Sequence, residues 1–318
     1  MARYDVLYDT HNYVVAEAGS TYRFNLPLVR PLQALCIDLE LNATGALADQ
    51  APEGLITRIV VKADTHVIVD MEGFEAWLLG SMLGYAVAPK DVSVITTPKC
   101  TIVIPFGPNY ALNLPTYKQV TVEITLAVSA AAVVARVAAT TCPTGTIRCY
   151  GREQDQAPLL SKDGNRLTRR FLRNQWTTVI GDNVCQLPEN EAYNNLLLCS
   201  MDSITTTDPV ILDQTLTNIG NILGFVDIPG ERKRVIDTYY HCLCNMGYFM
   251  GGVGQIELPA AIGATLFLRR FIGVAWVELN EEGRPLDLPA MGASKFTLLP
   301  NVAVAGVLSA GRDTIVIG

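Results

Sequence analysis

The chain has 318 residues, of which 49% are apolar and only 17% charged, and its formal net charge is −7. This length allows two cores of ordinary domain size, and the scarcity of charge suggests that surface normally given to ionic residues is covered, as in an oligomer. Charge is evenly spread, with 11 basic and 15 acidic residues up to Asp155 and 13 and 16 beyond it, so neither half reads as a basic nucleic-acid-binding arm.

The opening stretch, MARYDVLYDTHNYVV, has charges and tyrosines where a secretory signal needs an apolar run, so no export signal is read and the protein is expected to stay where it is made. Tyr4, Tyr8 and Tyr13 belong either to an arm that orders on assembly or to the lead into a first strand. Over residues 55–85, Thr57, Ile59, Val61 and Ala63 fall on one face and Arg58 and Lys62 on the other, the period of a half-buried strand. Asp64 and Thr65 allow a tight return into HVIVD. Beyond Gly73, the spacing of Phe74, Trp77, Leu78, Met82 and Tyr85 predicts one face of a short helix. The apolar run ITLAVSAAAVVA, from Ile124 to Ala135, is too short to span a bilayer and is read as buried strand. Next, TTCPTGTIRCYGREQDQAPLLSKDGN is polar and rich in turn formers, which marks it as the connection between two domains.

Much of this order recurs roughly 155 to 160 residues later. GSTYRFNLP, from Gly19, corresponds to GDNVCQLP, from Gly181, and LCIDLELN, from Leu35, to NNLLLCSM, from Asn194. The second hairpin is expected to reverse at Gly220 and Asn221, and Val235, Tyr239, Cys242, Leu243 and Met246 to form a helix face closed by Gly247. Downstream, TIVIPFGPNYALNLPTYKQVTVEITLA is matched to QIELPAAIGATLFLRRFIGVAWVELN. The tail, KFTLLPNVAVAGVLSAGRDTIVIG, is expected to be tied down, as a last strand of the second domain rather than against a neighbouring subunit. Strands this short and numerous, with one helix per half, favour antiparallel sandwiches over parallel α/β layers. The predicted fold is all-β: two tandem jelly-roll β-sandwiches, residues 1–154 and 155–318, each with a short helix after a central hairpin.

Little in the chain can carry chemistry. The three histidines, His11, His66 and His241, form no H-x-H pair, which disfavours a bicupin metal enzyme. In HCLC, Cys242 and Cys244 would point apart on a helix, so packing is preferred to metal binding by His241 and these thiols. Common motifs for hydrolases, zinc proteases, nucleotide loops and calcium loops are absent. Eight dispersed cysteines (36, 100, 142, 149, 185, 199, 242 and 244) read as small core residues in a reducing compartment. Arg166, Arg169, Arg170 and Arg173 lie at helical spacing, and Glu231–Arg234 would open the second helix; both are read as solvated basic faces, the second with an acidic partner. GGVG at Gly251–Gly254 is read as a turn, the sequon at Asn42 has no meaning without export, and Glu281 and Glu282 lie in a polar turn. Trp77 and Trp276 sit in apolar faces and are expected to be buried, while Trp176 fits either environment.

Two tandem β domains, each with a strand ending at Leu-Pro (Leu26–Pro27, Leu187–Pro188) and a hairpin leading to an F-x-x-W or V-x-x-x-Y helix, resemble the double-jelly-roll major capsid proteins of tailless icosahedral viruses, bacteriophages among them, with an internal membrane. The resemblance covers about Gly19 to Leu279. It implies a homotrimeric structural protein whose pseudo-hexagonal capsomers tile a shell around a lipid vesicle. The partners it implies are sister copies, neighbouring capsomers, penton and minor capsid proteins and the internal membrane, with no sequence-specific nucleic acid. The implied location is the virion, after assembly in the host cytoplasm. It implies no enzyme activity, no catalytic or metal site and no cofactor, although some members of that family bind stabilising ions. A ligand- or carbohydrate-binding β-sandwich, such as a spike or attachment module, is the alternative.

Overall fold

In a computed structural model, the structure describes residues 3–44, 52–83, 97–137, 139, 141–158, 167–201, 219–240, 242–243, 274–280 and 284–317. The chain divides into two compact units, the first built mainly from Met1–Arg170 and the second from Phe171–Ile204 and Val210–Val316.

The first unit contains strands β1 (Arg3–Val14), β2 (Thr21–Asn25), β3 (Leu32–Thr44), β4 (Ile56–Ala63), β5 (His66–Met71), β6 (Lys99–Pro105), β7 (Val120–Leu126) and β8 (Thr141–Gln154), with helices α1 (Gly73–Met82) and α2 (Ala130–Val137). One sheet has the order β1-β8-β3-β6, and antiparallel pairing also links β2-β7-β4-β5. Their inner faces meet where the His11 ring of β1 stacks on Tyr22 of β2 at 4.5 Å, and where the Tyr22 hydroxyl lies 3.2 Å from Cys149 Sγ of β8. In the hairpin β4–β5, Asp64 takes a φ of 52°. Its carboxylate accepts hydrogen bonds from the backbone N–H groups of Lys118 and Gln119 at 2.9 and 3.0 Å, tying the turn to the start of β7. Aspartate is among the few non-glycine residues that tolerate a left-handed conformation, and these long-range bonds hold it there.

The second unit repeats the arrangement with β9 (Leu167–Thr178), β10 (Gly181–Asp182), β11 (Cys185–Leu187), β12 (Ala192–Met201), β13 (Ile219–Ile228), β14 (Glu231–Tyr239), β15 (Val274–Glu278), β16 (Leu286–Asp287), β17 (Lys295–Val302) and β18 (Gly306–Ile317). The path β10-β17-β13-β14, with β11 also on β17, corresponds to β2-β7-β4-β5, and β9-β18-β12-β15 corresponds to β1-β8-β3-β6. Its core joins the two layers through Tyr193 of β12, which meets Phe296 of β17 edge-on at 5.2 Å and donates a 2.6 Å hydrogen bond to the Pro188 carbonyl. Gly19 and Gly181, the first residues of the matched segments, both have positive φ (83° and 103°), and Leu26 and Leu187 are both buried. The tail supplies two strands of this unit, β17 and β18.

Several expectations are corrected. The second hairpin reverses at Pro229–Gly230, not at Gly220–Asn221, which lie inside β13. Proline fixes φ at the first turn position and Gly230, at φ 81°, supplies the left-handed second. Val235 and Tyr239 therefore belong to β14; the helical residues after this hairpin begin at Tyr240 and include Cys242 and Leu243, whereas Met246 and Gly247 lie outside the described residues. RLTRRFLR is strand from Leu167 onwards, because β-sheet pairing overrides a helical spacing set by arginines alone. The run at 124–135 is strand only to Leu126; Ser129 Oγ then accepts a 3.1 Å hydrogen bond from the Ala132 N–H, capping α2 in an alanine-rich segment.

Most of the polar stretch taken as the connection is strand β8. Its buried positions include Gly145, Ile147, Cys149 and Gly151 in alternation, and small residues hide the period from a hydrophobicity reading. The downstream match slips by one strand: Val274–Glu278 pairs with β12 as β6 pairs with β3, and the counterpart of β7 is Lys295–Val302. Finally, α1 is buried on every side rather than along one face.

Helix α1 comes close to β6 at Gly80, where a methyl group would lie 2.5 Å from the Val103 carbonyl oxygen. Alanine would gain roughly 1 kcal/mol of helix propensity, but overpacking against backbone costs roughly 1–3 kcal/mol. Gly80→Ala is therefore expected to lower stability by a net ~0–2 kcal/mol, read as a lower urea midpoint with an unchanged m-value.

Candidate functional site

The residues able to do chemistry are dispersed and engaged in packing. His11 Nε2 lies 3.0 Å from the Glu17 carboxylate, and His66 is an exposed residue opening β5. His241, Cys244, Gly251–Gly254, Glu281, Glu282 and Arg166 lie outside the described residues. Among the described residues no group of three His, Cys, Asp or Glu side chains could hold a metal ion, and no helix is long and apolar enough to cross a membrane. Cys36, Cys100, Cys142, Cys149, Cys185 and Cys199 are buried free thiols. Burial pushes Cys36, Cys142 and Cys185 up to about 11 and Cys149 to about 12. Burial also raises Cys100 well above the usual thiol range, with Glu53 adding to the effect. Raised thiols are poor nucleophiles and poor metal ligands.

The arginines of β9 do not form a helical face, since Arg169 and Arg173 project to one side of a strand and Arg170 to the other. In β14, Glu231–Arg234 is exposed, and Arg232 has the acidic partner expected of this run, Asp227 at 3.3 Å. Asn42 donates to Thr144 Oγ1 at 2.7 Å across the β3–β8 ladder. Trp77 and Trp276 are buried, and Trp176 packs half-buried against the second core.

The polar groups that the fold does organise lie on broad sheet faces. On β1-β8-β3-β6, Arg152 pairs with Asp5 at 3.1 Å, Arg148 with Asp38 and Glu40 at 3.3 and 3.0 Å, and Lys99 with Glu40 at 3.2 Å. The other sheet of the first unit carries Arg23 and Lys62 on Glu123, at 2.6 and 3.0 Å, and a two-pronged Arg58–Asp70 pair with both bonds at 2.7 Å. Alternation puts one residue in two on these faces, and antiparallel register sets opposite charges side by side across strands. The Arg148 and Lys99 hydrogen bonds hold Glu40 below the usual 4.5, and Lys62 and Arg23 do the same for Glu123. A general acid working near neutrality needs the opposite shift.

The second unit differs. Arg312 pairs with Glu191, both buried, and Asp313 accepts a 2.8 Å hydrogen bond from Asn195 Nδ2. Sequence reading passed over these residues; the signal was a charged doublet inside the otherwise apolar alternation of the tail. Apolar side chains gather instead at the end of this unit where Gly181 pairs with Val302: Val179, Ile180, Val184 and Val304 are 62%, 72%, 67% and 46% exposed.

These are flat faces and an apolar tip, in a chain whose units have the same strand order. Compared with solved structures, the chain aligns over its full length with the STIV MCP, covering 97% of that chain at a TM-score of 0.72 and 8% identity. The fold is the double jelly roll. The major capsid protein P2 of bacteriophage PM2 matches 100% of this chain with 98% of its own, at TM-score 0.57 and 10% identity. The PBCV-1 virus capsid matches 99% with 93%, at TM-score 0.60 and 11% identity. No protein-family model and no curated protein matches the chain. The double jelly roll is thus preserved here at an identity where side-chain roles cannot be carried across.

Two outcomes are expected from these environments. Native protein at pH 8 should leave the six buried thiols unmodified by a water-soluble disulfide reagent, and all should react once urea unfolds the chain. Glu40, depressed in the folded state, contributes stability that is present above the unfolded glutamate range and lost as pH falls through the lower folded value. Glu40→Gln should therefore flatten the decline in melting temperature between about pH 5 and pH 3, with an effect below ~1 kcal/mol because the pairs are solvent-screened.

Proposed function

We propose that this chain is a structural subunit of an icosahedral virus shell, a major capsid protein whose homotrimers form pseudo-hexagonal capsomers. The observation that carries this reading is the coverage: the likeness to capsid proteins of three viruses extends over both units and nearly the whole of each neighbour. A repeated sandwich makes physical sense of the role, since three copies present six similar blocks around one axis. The two blocks are taken as residues 1–154 and 155–318, with the break placed where β8 ends at Gln154, although the compact units divide further on, at Arg170–Phe171.

Composition supports the same reading. Few charges and exposed apolar groups at a domain tip suit obligate interfaces, which bury several thousand Å². The work would be done by shape and repeated weak contacts between capsomers, without a reaction. On this reading the chain acts in the virion after assembly in the host cytoplasm, next to penton and minor capsid proteins and an internal membrane, with no cofactor and no sequence-specific nucleic acid. A carbohydrate-binding module is less well supported, because Trp77 and Trp276 are buried rather than lining a cleft.

The test is the mass of the purified protein by light scattering, followed by negative-stain microscopy. Trimers with a hexagonal outline are expected. A stable monomer that binds glycans would overturn the proposal.

A further inference from the structure

We propose that neighbouring copies join edge to edge, β1 of one copy pairing with β14 of the next. This rests on the reading of the chain as a capsomer subunit and specifies the contact that would build it. Among the described residues β1 pairs only with β8 and β14 only with β13, so each ends its sheet. They are long edges, of 12 and 9 residues. An exposed edge of this length offers a row of unpaired backbone N–H and C=O groups, which proteins that stay monomeric usually shorten or cover.

Charge decides which edges match. Along β1 the exposed or half-exposed groups include Asp5, Asp9 and Leu7, the last 61% exposed. Along β14 they include Glu231, Arg232, Lys233, Arg234 and Asp237, the three cations being consecutive. Asp5, Arg232 and Arg234 already have partners within the chain. The side chains of Asp9 and Lys233 have no hydrogen-bond or ion-pair partner among the described residues. Pairing β14 with β14 through Arg232–Arg234 would oppose three cations to three, and pairing β1 with β1 through Asp5–Asp9 would oppose carboxylates, both unfavourable across a ladder. Pairing β1 with β14 sets opposite signs together. Because the two edges differ, the contact is head-to-tail, the kind that closes into a ring when the rotation allows.

The test compares wild type with Asp9→Lys, Lys233→Glu and the combined variant, by light scattering across a dilution series at low ionic strength. Each single reversal should weaken the oligomer by roughly 5-fold or more, and the combination should recover most of the loss. A second variant, Asp9→Cys with Lys233→Cys, which bridges the same two positions, should give a ladder of covalent oligomers under mild oxidation that neither substitution gives alone. The recovery and the ladder also show that the variants fold. If wild type is an oligomer whose mass is indifferent to the reversals and no ladder forms, the edges are not the interface, while the capsomer reading stands. A monomeric wild type would overturn both.

Discussion

A four-stranded antiparallel sheet cannot keep an apolar face in water, and in each unit the second sheet supplies the cover. Burial of those two inner faces is the constraint from which the rest follows. It demands eight principal strands per unit, alternation along each, and a register in which no strand slips by one residue, since a slip would turn its buried set outward. The His11–Tyr22 stack and the Tyr193–Phe296 contact lie where sheet meets sheet. The outer faces are left to ion pairs such as Arg148 with Asp38 and Glu40, each worth little alone. Such pairs keep the faces soluble and fix register; they do not hold the sandwich together.

Legibility in the sequence followed the strength of this constraint. The first hairpin and α1 were readable because Ile59, Val61 and Ala63 alternate cleanly and Asp64 marks the turn. Strand β8 was not, because its alternating inner positions are two glycines and a cysteine around the single Ile147, which carry the period in shape more than in hydrophobicity. The second hairpin was misplaced since two glycine-containing reversals were on offer, and only Pro229 distinguishes the one that is used. The slip of one strand in the downstream match has a similar origin. Val274–Glu278 resembles β7 in composition, whereas pairing, which no single segment encodes, assigns it the place of β6.

The surface was less legible than the core. Asp9 and Lys233 are unremarkable in sequence, and become informative only when topology puts both on sheet edges. Arg312, Asp313 and Glu191 show the converse: charges that a pattern reading sends to solvent are buried, and tolerated there because each has a counterpart. On the proposed reading of a shell subunit, the residues that matter are ordinary ones in particular places, and motif recognition has nothing to seize.

The two units part company at one link. Between β7 and β8 the first unit inserts α2, whereas the second passes from Val302 to Gly306 through residues 303–305 alone. Both versions feed the same ladder, so the sandwich does not depend on what fills this passage. The shorter crossing is therefore a natural splice point: a foreign peptide of helix length placed there would make the second unit more like the first, and a displayed epitope could be carried at every copy without disturbing the strands beneath it.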